Sequence, residues 1–261
     1  MSVIGTDISV SIGRKPILHG VDFAAEPGEV HAIVGPNGSG KTTLLRALTG
    51  DISANGRITL SDRSFDRKRP WEMASIRGVL PQVTVLSFPF TVIEVVRMGL
   101  EAGPHGASPE IAHQALRDVG LEGYEGRFFQ ELSGGEQQRA QLARVLSQVW
   151  EPVQDGAPCW LFLDEPVASL DIGHQLGVME LARRYADRGG GVIAVMHDLN
   201  LTAMFADQVT LLSKGEVAAT GEVANVLTDD LLSAAYACTL RVNMAPSAGK
   251  TFLLPQTAAR S

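Results

Sequence analysis

Two short runs carry no alternation of apolar and polar positions. They are Val30-His31-Ala32-Ile33-Val34 and Trp160-Leu161-Phe162-Leu163, apolar at nearly every place. A strand covered on both faces reads this way, whereas a half-buried strand alternates. Gly191-Val192-Ile193-Ala194-Val195-Met196 predicts a third buried strand. Ile8 to Ile12 and Val21 to Phe23 do alternate, around Gly13-Arg14-Lys15-Pro16, as half-buried strands joined by a turn. Pro27-Gly28 marks another turn, and Gly78-Val79-Leu80-Pro81-Gln82 ends a further strand. Gln208 to Leu212, Lys214-Gly215 and Glu216 to Thr220 give a hairpin signal.

Helical spacing separates these runs. Thr43 to Thr49 predicts one helix, stopped by Gly50. Thr91 caps a second through Ile93, Val96 and Met98; Pro109 to Val119 forms a third, after the linker Gly103-Pro104-His105-Gly106. Leu142, Ala143, Val145, Leu146 and Val149 give one apolar side to a helix behind Ser133, and Thr228 caps a last helix through Tyr236. The fold class is therefore α/β, with a helical middle third. In the apolar loop Ser87-Phe88-Pro89-Phe90, both phenylalanines are read as core plugs, the alternative being a surface that grips a partner. Trp71 and the tail after Leu240 carry no assignable role.

Composition narrows this picture only slightly. The 261 residues bury a sizeable core, and 45% hydrophobic with 20% charged residues is ordinary for a globular protein. A net charge of −7 argues against nucleic acid as a partner, since phosphate contacts need a basic surface. Cys159 and Cys238 form no metal or redox motif, and Cys159 reads as a small core residue. The start lacks the pattern of a secretory signal, and no run of about 18 apolar residues suggests a membrane span.

Chemistry enters at the ends of the buried strands. Gly35-Pro36-Asn37-Gly38-Ser39-Gly40-Lys41-Thr42 is a complete G-x-x-x-x-G-K-[ST] phosphate loop between a strand and a helix, with Thr43 opening that helix. Its backbone N–H groups curl around phosphates, Lys41 reaches their oxygens, and the Thr42 hydroxyl ligates Mg²⁺. The second run ends in Asp164-Glu165 and the third in His197, where α/β sheets place their sites. Asp164 suits an Mg²⁺-holding carboxylate, and Glu165 a base acting on the attacking water. His197 is read as functional from its place parallel to Glu165; the other histidines (19, 31, 105, 113 and 174) form no ligand cluster. Finally, Leu132-Ser133-Gly134-Gly135-Glu136-Gln137-Gln138-Arg139 joins a capping box to a glycine pair, a helix start suited to an anion.

The phosphate loop, Gln82, LSGGEQQR, Asp164-Glu165, Ser169-Leu170-Asp171 and His197 occur in the order of an ATP-binding-cassette (ABC) ATPase, which the chain resembles over roughly residues 1 to 240. The resemblance implies a P-loop ATPase core with an antiparallel β subdomain, a helical subdomain inserted at about 84–150, and a tail over 241–261. It implies a homodimer that sandwiches two ATP, where Ser133, Gly134 and Gly135 meet the γ-phosphate held by the partner's Lys41. Gln82 would sense Mg²⁺ and the water, Asp171 would cross the interface, and His197 would hold the γ-phosphate. Two positions depart from the family's pattern: Ile12 and Gly13 stand where an adenine-stacking aromatic residue falls, which implies lower ATP affinity or weaker base discrimination, and Val167 stands where threonine is common.

Within the family, Phe88-Pro89-Phe90-Thr91-Val92 with Glu94-Val95-Val96 and Met98-Gly99 resembles importers for iron chelates, haem and cobalamin. The lengthened link Val149 to Gly156 resembles that of haem importers. Such a subunit sits peripherally on the cytoplasmic face of the bacterial inner membrane. Its partners are two transmembrane permease subunits and, indirectly, a periplasmic haem-binding protein. Haem is then cargo that never touches this chain, with iron-siderophore or cobalamin as alternatives. A soluble cassette ATPase acting on DNA or ribosomes usually carries a coiled-coil insertion, zinc-finger cysteines or a second cassette, and none is found here. A small-molecule kinase would leave LSGGEQQR and His197 unexplained.

Overall fold

A computed structural model of the chain describes residues 1–61, 63–64, 73–82, 86, 88–104, 106, 108–246 and 249–258; Trp71, Ser87 and His105 lie outside them. The first elements are β1 (Val3–Ile12), β2 (Lys15–Ala25), β3 (Val30–Val34), α1 (Lys41–Leu48), β4 (Asn55–Leu60), β5 (Arg63–Ser64) and β6 (Arg77–Leu80). Then come α2 (Val92–Ala102), α3 (Pro109–Asp118), α4 (Gly134–Gln148), β7 (Val153–Gln154), β8 (Ala157–Pro158) and β9 (Trp160–Asp164). The chain continues through α5 (Ile172–Asp187), β10 (Gly191–Val195), α6 (Leu199–Phe205), β11 (Gln208–Ser213), β12 (Glu216–Glu222), α7 (Val223–Val226) and α8 (Asp229–Tyr236).

The three unalternating runs are the middle of one six-stranded sheet, ordered β12-β11-β3-β10-β9-β6. Every residue of β3, β9 and β10 is buried. Successive side chains of β9 enter opposite layers, which is why no polar position interrupts it. Trp160 and Phe162 pack with Ile33, Leu44 and Ile193 beneath the antiparallel sheet β2-β1-β4-β5. Leu161 and Leu163 face the other way, into a core shared with α2, α4 and α5. Burial pushes the Cys159 thiol in that core up to about 11, leaving it a protonated, inert packing residue.

The parallel register sets the site. Val195 lies level with both Ile33 and Asp164, and Leu80 with Leu163, so β3, β6, β9 and β10 end along one edge. The phosphate loop, Gln82, Asp164-Glu165 and His197, far apart in sequence, all emerge there.

Four sequence readings change in detail. The β1–β2 turn is only Gly13-Arg14, because Lys15 and Pro16 already pair with Ile12 and Ser11. Phe88 is no core plug: it is 69% exposed, while Phe90 packs against the main core. The Phe90 N–H bonds back to the Phe88 carbonyl across Pro89, and this tight bend admits one ring and leaves the other outside. The lengthened link before β9 folds into its own hairpin, β7 with β8. The segment after Leu240 turns back: the Val242 N–H donates to Asp229 at 2.7 Å, and Pro255–Thr257 packs on α6.

Candidate active site

The phosphate loop and Glu165 face one cavity of about 560 Å³, bordered by Asn37, Lys41, Thr42, Gln82, Glu165 and His197 among others; Asp164 borders a second cavity that shares Thr42 and Gln82 with it. The loop's path requires glycine. At Gly35 (φ 146°) a Cβ would stand 2.1 Å from the Leu212 carbonyl oxygen, so no side chain fits between the loop and β11. At Gly38 nothing lies within 4 Å of a Cβ position, which leaves an open cradle.

The side chains in this cradle fit a bound triphosphate. The Ser39 hydroxyl is buried with no hydrogen-bond partner among the described residues, although a buried polar group left unmade costs about 1–3 kcal/mol. This hydroxyl lies against Gly35 inside the loop and does not border the cavity. Lys41 Nζ donates to the Gly35 and Pro36 carbonyls at 2.9 and 3.1 Å, folded back over its own loop. Burial pulls its ammonium below the usual lysine range, opposed by Glu165 and Asp164. Thr42 Oγ1 donates to Asp164 Oδ1 at 3.0 Å, two oxygen ligands side by side. Burial raises the Asp164 carboxyl, and the Thr42 bond counters it. Mg²⁺ takes one or two protein oxygens and completes its shell with phosphate and water, so this pair suits it.

Glu165 sits just past β9 with φ 52°, a left-handed conformation that costs about 1–3 kcal/mol for a residue with a side chain. Its amide bonds the Val195 carbonyl at 3.2 Å, and its Oε1 accepts from His197 Nε2 at 2.6 Å. The carboxylate and imidazole are thus poised together at the cavity mouth. A general base and a hydrogen-bond donor in contact are what hydrolysis of a phosphoanhydride by water needs.

The glycine-pair motif lies elsewhere. Ser133 caps α4: its Oγ accepts from the Glu136 N–H, and Glu136 Oε2 takes both the Ser133 N–H and hydroxyl at 2.8 Å. These bonds hold the Glu136 carboxyl below its usual range. Ser133 and Gly134 are exposed and do not border the cavity. Gly135 backs onto the Ser169-Leu170 turn, where a Cβ would come within 2.9 Å of the Ser169 oxygen. Asp171 caps α5 by accepting from the His174 N–H at 3.0 Å and contacting its ring.

Three contributors escaped the sequence reading. Gln138 Nε2 donates to the Glu165 backbone carbonyl at 2.8 Å, tying the helix behind the glycine pair to the strained carboxylate. Its place inside LSGGEQQR was visible, its partner 27 residues away was not. Lys15 and Ile17 of β2 border the cavity from the other sheet, a position that depends on how the two sheets stack.

Comparison with known proteins gives the family. The family model described as ABC transporter matches residues 18–168. The Hemin import ATP-binding protein HmuV of Jannaschia sp. (strain CCS1) is 62% identical over 98% of this chain and 94% of its own length. The protein of the same name from Roseobacter denitrificans is 59% identical over the whole of both chains. Among solved structures, a protein assigned to the metal-chelate type of ABC transporter, in an inward-facing conformation, is 26% identical, with a TM-score of 0.73 over 91% of this chain and 90% of that one.

Proposed function

The chain belongs to the ABC transporter family, and on that premise we propose that it is the ATP-hydrolysing subunit of a bacterial haem importer. The observation that carries the cargo is the full-length identity to proteins named for hemin import. In this reading two copies pair and bind two ATP between them. The dimer sits on the cytoplasmic face of the inner membrane, beneath two permease subunits that provide the membrane path. Haem delivered by a periplasmic binding protein passes through those subunits and does not meet this chain.

The residues divide the work. The loop amides from Gly38 to Thr43, that of Ser39 included, and Lys41 hold the phosphates. Thr42 and Asp164 would hold Mg²⁺, which would supply positive charge to the phosphates, and Gln82 borders the same cavity as this pair from beyond the end of β6. Glu165 Oε1 takes a proton of the attacking water as the water oxygen bonds the γ-phosphorus and the bond from that phosphorus to the β-phosphate oxygen breaks, releasing ADP and phosphate. His197 Nε2–H turns from Glu165 to a γ-phosphate oxygen. Ser133, Gly134 and Gly135 of the second copy complete the phosphate shell, with Asp171 at the contact between copies. Hydrolysis then requires closure, because each site lacks donors that only the partner presents.

The test is ATPase rate in liposomes containing this chain and its co-purifying membrane subunits. Haem-loaded, cobalamin-loaded and iron-siderophore-loaded binding proteins are added in turn. Stimulation by the haem-loaded protein alone is expected. Stimulation by another moves the cargo and keeps the mechanism; stimulation by none, with no membrane subunit recovered, removes the importer reading.

A further inference from the structure

The β11–β12 hairpin has no part in the chemistry described so far, yet its turn stands directly behind the phosphate loop. Lys214 and Gly215 form that two-residue turn between the paired Ser213 and Glu216, with φ of 53° and 83°, the left-handed geometry that tight hairpins favour. The Gly215 N–H donates to the Ser39 carbonyl at 3.0 Å, and the Gly215 carbonyl accepts from the His19 N–H at 3.0 Å. One residue of the turn thus joins the phosphate loop to β2. It is wedged there so closely that a Cβ would stand 2.2 Å from the Ile17 carbonyl oxygen. The same hairpin backs the start of the loop, where the Leu212 carbonyl excludes a Cβ on Gly35. Gly215 itself does not border the cavity, whereas Gly38, Gly40 and Lys41 do.

On the reading of this cavity as a triphosphatase site, we propose that Gly215 is a positioning residue for it: by holding the Ser39 carbonyl from behind, its N–H aims the next amide, that of Gly40, at the phosphates. A peptide group is planar and trans, so the Ser39 carbonyl and the Gly40 N–H lie in one plane and point opposite ways. Gly40 (φ 105°) has no side chain to resist turning of that plane. The hydrogen bond from Gly215 therefore decides which way it faces. Phosphate is held by converging N–H groups. Turned over, the same peptide would present a carbonyl oxygen to the phosphates and repel them. One backbone bond from a distant hairpin sets whether this position attracts an anion.

Gly215→Ala would displace β2 together with the loop, so the test removes a single N–H. The full chain is prepared with an ester in place of the Lys214–Gly215 amide and, as matched control, with an ester in place of the Leu18–His19 amide. Each loses one of the two bonds at Gly215. Affinity is measured for ATP and for inorganic triphosphate, which reports the phosphate end without a base, with melting temperature alongside. The Gly215 ester should weaken both ligands at least about tenfold, the contribution of one hydrogen bond to a charged group. The His19 ester should lose similar thermal stability and keep both affinities within about twofold. A Gly215 ester that binds triphosphate no more weakly than the His19 ester overturns the proposal. Hydrogen exchange on the unmodified chain gives a second reading. The Gly215 amide should be protected with and without ligand, and the Gly40 amide only when triphosphate is bound. A Gly215 amide that exchanges as freely as that of Gly40 in the unliganded chain also overturns the proposal. Failure of the unmodified chain to bind either ligand overturns the triphosphatase reading instead.

Discussion

The phosphate-loop cavity and the glycine-pair helix start both serve the same reaction in our reading, yet they are built oppositely. At the cavity, strands converge and polar groups are left wanting partners: Ser39 in the loop has none among the described residues, Lys41 folds onto its own loop, and Glu165 is held in a strained backbone. At the start of α4 the polar groups satisfy one another. Ser133 and Glu136 exchange three hydrogen bonds, and the cap faces outward. An inward site keeps unmet donors because the fold covers them. An outward one must be self-satisfied until something displaces those bonds. The contrast predicts that damage to the cavity acts on chemistry within one copy, whereas damage to the helix start acts only when two copies meet.

The sharpest break comes from Glu165→Gln. Glutamine keeps the shape and cannot take the proton, so turnover should fall by about 10²–10⁴ while ATP binding persists and a closed dimer accumulates. Near-normal turnover in a single-turnover assay removes Glu165 from its role. Ser133→Ala should cost about 10² in turnover, the size of one lost transition-state donor, with no change in ATP affinity of the dispersed chain. Losing the cap also costs about 1 kcal/mol of stability, so melting temperature is measured alongside. A loss of ATP binding in the dispersed chain would place Ser133 in its own copy's site and erase the contrast.

Phe88 extends the comparison to the helical region. Its ring is outside the core, whereas Phe90 packs against it. Phe88→Ser should leave the melting temperature unchanged and lower co-purification with membranes several-fold. Phe90→Ser should lower the melting temperature itself; Phe90 is partly buried, so the loss should stay below about 3–5 kcal/mol, the cost for a fully buried aromatic. Equal thermal losses for both would return Phe88 to the core.

What was legible in the sequence follows from the same physics. A strand buried on both faces tolerates no polar position, so β3, β9 and β10 stand out from the residue pattern alone. The phosphate loop and the carboxylate pair were readable because phosphate and Mg²⁺ restrict the residue types that suffice. Illegible were features decided by distant partners. That Phe90 enters the core and Phe88 does not depends on one bond across Pro89. The return of the tail depends on Asp229 receiving the Val242 amide, a contact with no local signature. Glu165 takes a left-handed backbone without a glycine to announce it.

Gln138 is where the two regions touch, and it offers the finest test of their independence. Its amide holds the Glu165 carbonyl at 2.8 Å from the helix that Ser133 caps. One such bond contributes about 1 kcal/mol net, so Gln138→Ala should slow turnover about fivefold through misplacement of Glu165. Since Gln138 positions and does not react, the loss should appear in kcat, with ATP affinity kept and Gln138→Asn recovering little because its amide is one methylene too short. Combining it with Glu165→Gln discriminates further. If Gln138 acts only through Glu165, the double variant should be no slower than Glu165→Gln alone. Additive losses would mean that the helix start reaches the reacting phosphate by a second route, and that the cavity and the cap are coupled within one copy before any partner arrives.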